Sequence, residues 1–235
     1  MGKTVTFQCS CGQIKGEVKS VPDKGNHLLC YCESCRAGAR YCGARISADE
    51  PVDLYLTPAH NVRIIEGQAN LNPFAFSPGG VIRWKAVCCG IQVFSSQPKP
   101  KIAFMSLSAR LITDSQAVGP VSTRSFVPKA NGKTAHEGKV ALAKLILGVL
   151  AARLTGKWRQ NPLLDPETLR PIAEVTLVSK EEKRALLAQG CRRFSGLLER
   201  GQMAGMLQHH QFRVGNELGH KRMTFNRAKL IMRPA

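Results

Sequence analysis

Apolar side chains recur at every second position through roughly the first half of the chain, the period of a β-strand with one buried face. Val5, Phe7, Cys9 and Cys11 alternate on one side, Gly12 permits a turn, and Ile14, Gly16 and Val18 take up the pattern again. Leu28, Cys30 and Cys32 repeat it before a tight knuckle. Further strands are expected over residues 52–57, 62–66, 81–87, 90–94 and 101–107, separated by turn-forming stretches such as TPAHN and SPGG. Many short strands with turns between them predict antiparallel sheets.

After VPKANGK the period becomes helical. Thr134 and Glu137 form a capping box, and an apolar run then continues to Leu154 before Gly156, which predicts a helix over 135–155. Its polar stripe, Glu137, Lys144, Gly148 and Thr155, is narrow, so such a helix would bury most of its circumference. Asp165 with Pro166 predicts one further helical turn, and Ser179 with Glu182 a short helix that stops near Gly190. From Cys191 onward no period is sustained, and an irregular basic tail is expected. The chain thus divides into a β domain over 1–128, a helical extension over 129–190 and a tail over 191–235. The fold class is mainly β with a C-terminal α-helical extension.

Charge adds the next constraint. The 34 Lys and Arg against 16 Asp and Glu give a net charge of +18, which favours polyanions as partners. No continuous Lys/Arg block appears, and aromatic residues make up only 6%, too few to interleave with the basic positions as base-stacking platforms. The most apolar stretch, residues 140–152, is interrupted by Lys144 and is shorter than the ~20 residues that span a bilayer. No transmembrane segment is expected. Helix 135–155 would cover the sheet or serve as a homo-oligomer contact.

Nine cysteines without a basic, apolar, cleavable leader fit a reducing cytoplasm and metal-bound thiolates better than disulfides. Three clusters carry the chemistry: CSCG at 9–12, CYCESC at 30–35 and CCG at 88–90. A CxC pair on a strand turns both thiolates to the same side, and a CxxC knuckle folds a third one back. Cys30, Cys32 and Cys35 therefore make a three-sulfur site. Zinc takes thiolates tetrahedrally, with four ligands in closed structural sites and three plus an open position in catalytic ones.

CSCG, then CYCESCR, then a Cys-Gly followed by a strand resembles the domain of the glutathione-dependent formaldehyde-activating enzyme and centromere protein V family, over residues 5–128. The resemblance implies a β-tent fold of antiparallel sheets stabilised by zinc at two sites. By position, the structural site takes Cys9, Cys11 and Cys89, and the second takes Cys30, Cys32 and Cys35. The family's late CxxCG would put a cysteine at position 86, where this chain has Ala86. Cys88 substitutes for it if Gly90 lets the chain tighten. On a straight strand Cys89 lies with Val87 and Ile91 while Cys88 points away. Cys42, seven residues after Cys35, either closes the second site or is a buried free thiol.

Two functions are weighed on this basis. The resemblance implies a carbon-sulfur lyase that joins formaldehyde and glutathione to S-hydroxymethylglutathione, using one or two zinc ions per chain. An open zinc at Cys30, Cys32 and Cys35 would bind an incoming thiol and lower its pKa. Arg36, Arg40 and Arg83 are candidate helpers for anionic glutathione; no His/Glu pair stands out as a general base. The alternative is a non-enzymatic zinc-stabilised module that binds nucleic acid or a protein partner through its basic surface.

Overall fold

In the computed structural model, residues 2–189 are described. The chain is mainly β. Strands β1 (Lys3–Gln8), β2 (Lys15–Val21) and β5 (Val62–Glu66) form a three-stranded antiparallel sheet in the order β1-β2-β5. The larger sheet uses β3 (Asn26–Cys30), β4 (Val52–Pro58), β6 (Leu71–Ala75), β7 (Ile82–Ala86), β8 (Gln92–Ser96) and β9 (Phe104–Ser108). It is completed by β10 (Thr123–Pro128), β11 (Thr134–Glu137) and β12 (Thr176–Leu177). Its nine strands run β11-β10-β3-β4-β9-β8-β7-β6-β12. Pairing is antiparallel except for β10 with β3 and β12 with β6, which makes the larger sheet mixed.

The main core lies between the two sheets. Phe7, Ile14 and Val18 of the small sheet join Tyr55, Trp84, Phe94, Met105 and Leu107 of the large one. Phe7 meets Phe94 edge to face at 5.4 Å, the favoured geometry for two ring quadrupoles. Gly16 sits where a β-carbon would collide with the Phe7 ring and the Arg63 carbonyl. Alternation sends Leu54 and Leu56 to the opposite face of β4 from Tyr55. There they pack with Leu28, Cys30 and Leu145 in a second cluster.

Two helices cover that outer face: α1 (Glu33–Tyr41) and α2 (Lys139–Leu154). Helix α1 was hidden in the sequence because its buried residues are Ala37, Gly38, Ala39 and Arg40, with no large apolar side chain to mark the face. Its Gly38 instead packs against the Arg83 side chain, and Lys85 lies over the Tyr41 ring at 5.3 Å. A register shift between Trp84 and Lys85 puts Gln92 opposite Lys85, on the side of α1. β6 and β10 were likewise unexpected. In β6 Pro73 weakens the strand signal, yet the segment pairs with β7 on one side and β12 on the other.

The expected helix start at Thr134 is corrected. Residues 134–137 form β11 against β10, and α2 begins at Lys139 after Gly138, whose φ of +76° only glycine takes readily. A β-carbon on Gly138 would also collide with the Ser122 carbonyl. Asp165 caps a turn rather than a helix, accepting from the Glu167 and Thr168 amides at 3.1 and 2.7 Å. The Ser179–Glu182 signal does open α3 (Lys180–Gln189), with the Glu182 amide donating to Ser179 Oγ at 3.0 Å. The described part of 129–190 shares the large sheet with the first 128 residues through β11 and β12. The tail expected over 191–235, with Cys191, lies outside the described residues.

Candidate metal centres

The stretch Trp84–Phe94 is a hairpin and not one strand. β7 ends at Ala86, residues 87–89 turn, and β8 starts at Gln92. The Gly90 amide donates to the Ala86 carbonyl at 2.7 Å, and Gly90 takes φ +77°. This tight turn brings the adjacent Cys88 and Cys89 to one point, with their sulfurs 3.9 Å apart, while Val87 points out to solvent.

The β1–β2 connection has the same design. Cys9 and Cys11 leave the strand and enter a turn closed by the Gly12 amide on the Cys9 carbonyl at 2.9 Å, with Gly12 at φ +75°. The strand geometry expected for the CxC pair is therefore replaced by a knuckle. Cys9 Sγ lies 3.5 Å from Cys11 Sγ and 3.8 Å from Cys88 Sγ. All four sulfurs of Cys9, Cys11, Cys88 and Cys89 fall within 4.8 Å of one another. A tetrahedral ion with metal–sulfur bonds of ~2.3 Å needs sulfur–sulfur edges of about 3.8 Å, so the group fits a metal. It joins one hairpin tip from each sheet.

Burial works to raise the Cys9 thiol, but the Ile14 amide, 3.2 Å from its sulfur, and the Cys11 thiol outweigh this and bring it down. For Cys89 burial likewise opposes ionisation. The Ser10 hydroxyl and the Ile91 and Cys11 amides prevail and lower it to about 6.

The second group forms within six residues. Cys30 ends β3, Cys32 is the N-cap of α1, and Cys35 lies in its first turn. The three sulfurs are within 4.8 Å of one another, with Cys30 and Cys32 at 3.4 Å. The Cys35 amide donates to Cys32 Sγ at 3.3 Å, where the helix N-terminus favours negative charge. Hydrogen bonds from Cys30 and then Cys35 hold Cys32 far below an ordinary thiol, while the bond to Cys32 pushes Cys30 up and the bonds to Cys30 and then Cys32 push Cys35 up. Cys32 is thus the thiol of the three most readily ionised. Ionising the other two requires a cation among them, so this donor set also fits a metal.

Arg83 is the neighbouring charge. Its side chain is buried, and no carboxylate pairs with it among the described residues. It donates to the Val81 carbonyl at 3.1 Å and to the Ser34 carbonyl and hydroxyl at 3.0 and 2.8 Å. Burial pulls the guanidinium below its ordinary value, and Cys35, Cys32 and Cys42 pull it back. Of the three candidate helpers Arg36, Arg40 and Arg83, Arg83 is the one that stands against Cys35 and Cys32. Arg40 instead clamps backbone, donating to the carbonyls of Ile46, Ser47, Leu186 and Leu187. Arg36 sits on α1 with its amide on the Cys32 carbonyl at 3.2 Å.

Cys42 is not part of the second group. It is the C-cap of α1, seven residues or ~10 Å of helix beyond Cys35. It packs with Phe74 and Val178, and burial raises its thiol to about 12. His27 does not reach a cysteine; its ring nitrogens bond the Gly119 carbonyl and Asp53, both at 2.8 Å.

A family model described as "Family of unknown function (DUF6151)" matches residues 1–176. The chain belongs to the DUF6151 family. The matched segment holds both cysteine groups, Arg83 and all of α2. No curated protein matches this DUF6151 chain. Among solved structures it is similar to the crystal structure of a Rhodobacter sphaeroides protein, with 19% identity and a TM-score of 0.37 over 49% of this chain and 96% of the other. No described helix is long and apolar enough to cross a membrane.

Proposed function

We propose that the protein binds two zinc ions, one closed and structural at Cys9, Cys11, Cys88 and Cys89, and one at Cys30, Cys32 and Cys35 whose fourth position takes an external thiolate. On this reading it is a carbon-sulfur lyase for a thiol–aldehyde adduct of the S-hydroxymethylglutathione type. The observation that carries it is the convergence of three thiols, with no fourth among the described residues, beside the buried Arg83 that lacks a carboxylate partner there.

Charge explains why the fourth ligand is an anion. A divalent ion with three thiolates sums to one negative charge, for which the single buried Arg83 is the matching cation. An external thiolate adds a second negative charge, which Arg83 also attracts. Glutathione, a small anionic thiol, fits this requirement and the basic surface of a +18 chain.

Cys30, Cys32 and Cys35 would hold the zinc, which would supply the positive charge that lowers the pKa of an incoming thiol. The chain's own part is to hold the site's charge. The α1 N-terminus and the Cys35 amide favour thiolate at Cys32, and Arg83, fixed by Ser34 and Val81, keeps a cation against Cys35. In the joining direction a sulfur lone pair forms the carbon–sulfur bond, the carbonyl π pair moves to oxygen, and that oxygen takes up the proton the thiol has lost. No oxidant or reductant is consumed.

The test titrates zinc-loaded and cobalt-substituted protein with glutathione and measures S-hydroxymethylglutathione formation. A change in the visible spectrum of one of the two cobalt ions and a rate above the uncatalysed one are expected. A silent spectrum with no acceleration would remove the reading. The +18 charge favours a second reading, a zinc-stabilised module for nucleic acid. Salt-dependent DNA affinity that disappears on deleting residues 191–235 would support that alternative.

A further inference from the structure

Helix α2 is apolar on nearly every side, a composition that belongs to a helix covered all round. Only one side is covered by the described part of its own chain. Ala141, Leu142, Leu145, Gly148, Val149 and Ala152 are buried or half-buried towards the sheet. The opposite side is open: Val140, Leu147 and Leu154 are 73%, 64% and 89% exposed, with Leu150 at 47% and Ala143 also exposed.

These five positions, 140, 143, 147, 150 and 154, are spaced three, four, three and four residues apart. That spacing is the a/d seam of a two-helix coiled coil. Each inward residue falls at b, c or f of the same heptads, so the sequence serves two packings at once.

We propose that this seam is the contact between two copies of the chain, with their α2 helices paired antiparallel. Charge selects the direction. A parallel pair sets Lys139 of each copy against Lys144 of the other, two like-charge contacts. An antiparallel pair layers Leu147 on the partner's Leu150 and Ala143 on the partner's Leu154, large against small. In that register Lys144 faces the partner's Ala151 and Arg153 faces the partner's Ile146, so no like charges meet across the seam. The 16-residue helix is ~24 Å long. A pair of this length lies at the small end of the ~1,200 Å² of stable interfaces, so the dimer forms with rising concentration.

The net charge distinguishes this occupant from others. Two +18 chains repel one another, so added salt strengthens self-association, whereas it weakens binding to an anionic membrane or nucleic acid. An α2 that instead lay on a lipid surface would carry a strongly one-sided apolar face, which this helix lacks.

The test is sedimentation velocity of the full chain from about 1 to about 100 µM, a range set by the micromolar affinity a short interface supports. The expected mass approaches twice the 25.7 kDa of one chain, and the approach is steeper at higher salt. A Leu147→Glu/Leu150→Glu double variant should stay monomeric with unchanged circular dichroism and metal content. Ala151→Glu should tighten the dimer about fivefold, because it creates two Glu–Lys144 surface pairs only in the antiparallel arrangement. A full chain that is monomeric throughout overturns the proposal, as does a double variant that keeps the dimer. A full chain that stays monomeric while its α2 binds anionic vesicles, or that stays monomeric while a chain cut back to residues 1–189 dimerises, would overturn the proposal and assign the seam to those occupants instead.

Discussion

Replacing Cys88 by serine tests the four-cysteine centre at its least expected member. Cys88 and Cys89 reach one point only because Gly90 turns the chain there. Each is therefore expected to be a ligand, and Cys88→Ser and Cys89→Ser should each reduce bound metal from two ions per chain to one. Both residues are half-exposed, so the exchange of sulfur for oxygen costs little by itself, and the loss in stability comes from the metal. That linkage is about 2.7 kcal/mol when free metal is 100 times its Kd and about 4.1 kcal/mol at 1,000 times. A unit of this size shifts by roughly 2–4 °C per kcal/mol. Either variant should thus melt about 5–16 °C below the parent, and a chelator should bring the parent down by the same amount while moving the variants less. Elemental analysis and calorimetry read both quantities. A Cys88→Ser protein with two ions and the parent's Tm would refute the reasoning, and would mean that Cys88 stands beside the centre without binding.

Two further substitutions separate the second centre from its surroundings. Cys42→Ser places a hydroxyl among Phe74, Phe76 and Val178, which should cost about 1–3 kcal/mol in chemical denaturation and leave both metal ions bound; a lost ion would show that Cys42 is a ligand after all. Arg83→Met should keep the metal count but weaken glutathione binding roughly 30- to 100-fold, the effect of removing a unit charge ~6–8 Å away at an effective dielectric of ~20. Arg83→Lys should keep most of the affinity, and equal binding by parent and Arg83→Met, measured by calorimetric titration, would dismiss the charge argument.

The elements most legible in the sequence were those whose periodicity reports burial on one face. Val5, Phe7 and Val18 marked β1 and β2, because one side of each strand faces the core between the sheets, and the run Leu54 to Leu56 marked β4, which is buried on both faces. Helix α1 was invisible for a physical reason: its packing face is Gly38 against a buried arginine rather than an apolar stripe. Thr134 and Glu137 had the residue types of a capping box, but pairing of β11 with β10 and the left-handed Gly138 overrode that local signal. The narrow polar stripe of α2 predicts burial of most of its circumference, and the structure instead leaves Val140, Leu147 and Leu154 open among the described residues. Of the sites, the Cys30–Cys32–Cys35 set could be read directly from spacing, and the partnership of Cys9 and Cys11 with Cys89 followed from the family resemblance. The part of Cys88 depended on one backbone angle at Gly90, which spacing alone does not determine.

The two centres differ in how they relate to folding, although both are made of cysteine. Cys30, Cys32 and Cys35 come from one strand end and one helix start, so a short segment supplies every ligand whether or not the sheets have formed. Cys9 and Cys88 are separated by 79 positions and meet only after the small sheet has docked on the large one. Closing so long a loop costs conformational entropy, and a metal ion held there returns its binding free energy to the docked state. Placing that centre at two hairpin tips ties metal binding to the packing of Phe7 on Phe94 a few residues away. The local centre joins no distant parts of the chain. Its ligands all come from the end of β3 and the start of α1, and its neighbour Arg83 is a buried cation with no carboxylate against it among the described residues. A metal there would be free to serve chemistry, and on that ground the proposed open position belongs to Cys30, Cys32 and Cys35 and not to the hairpin tips.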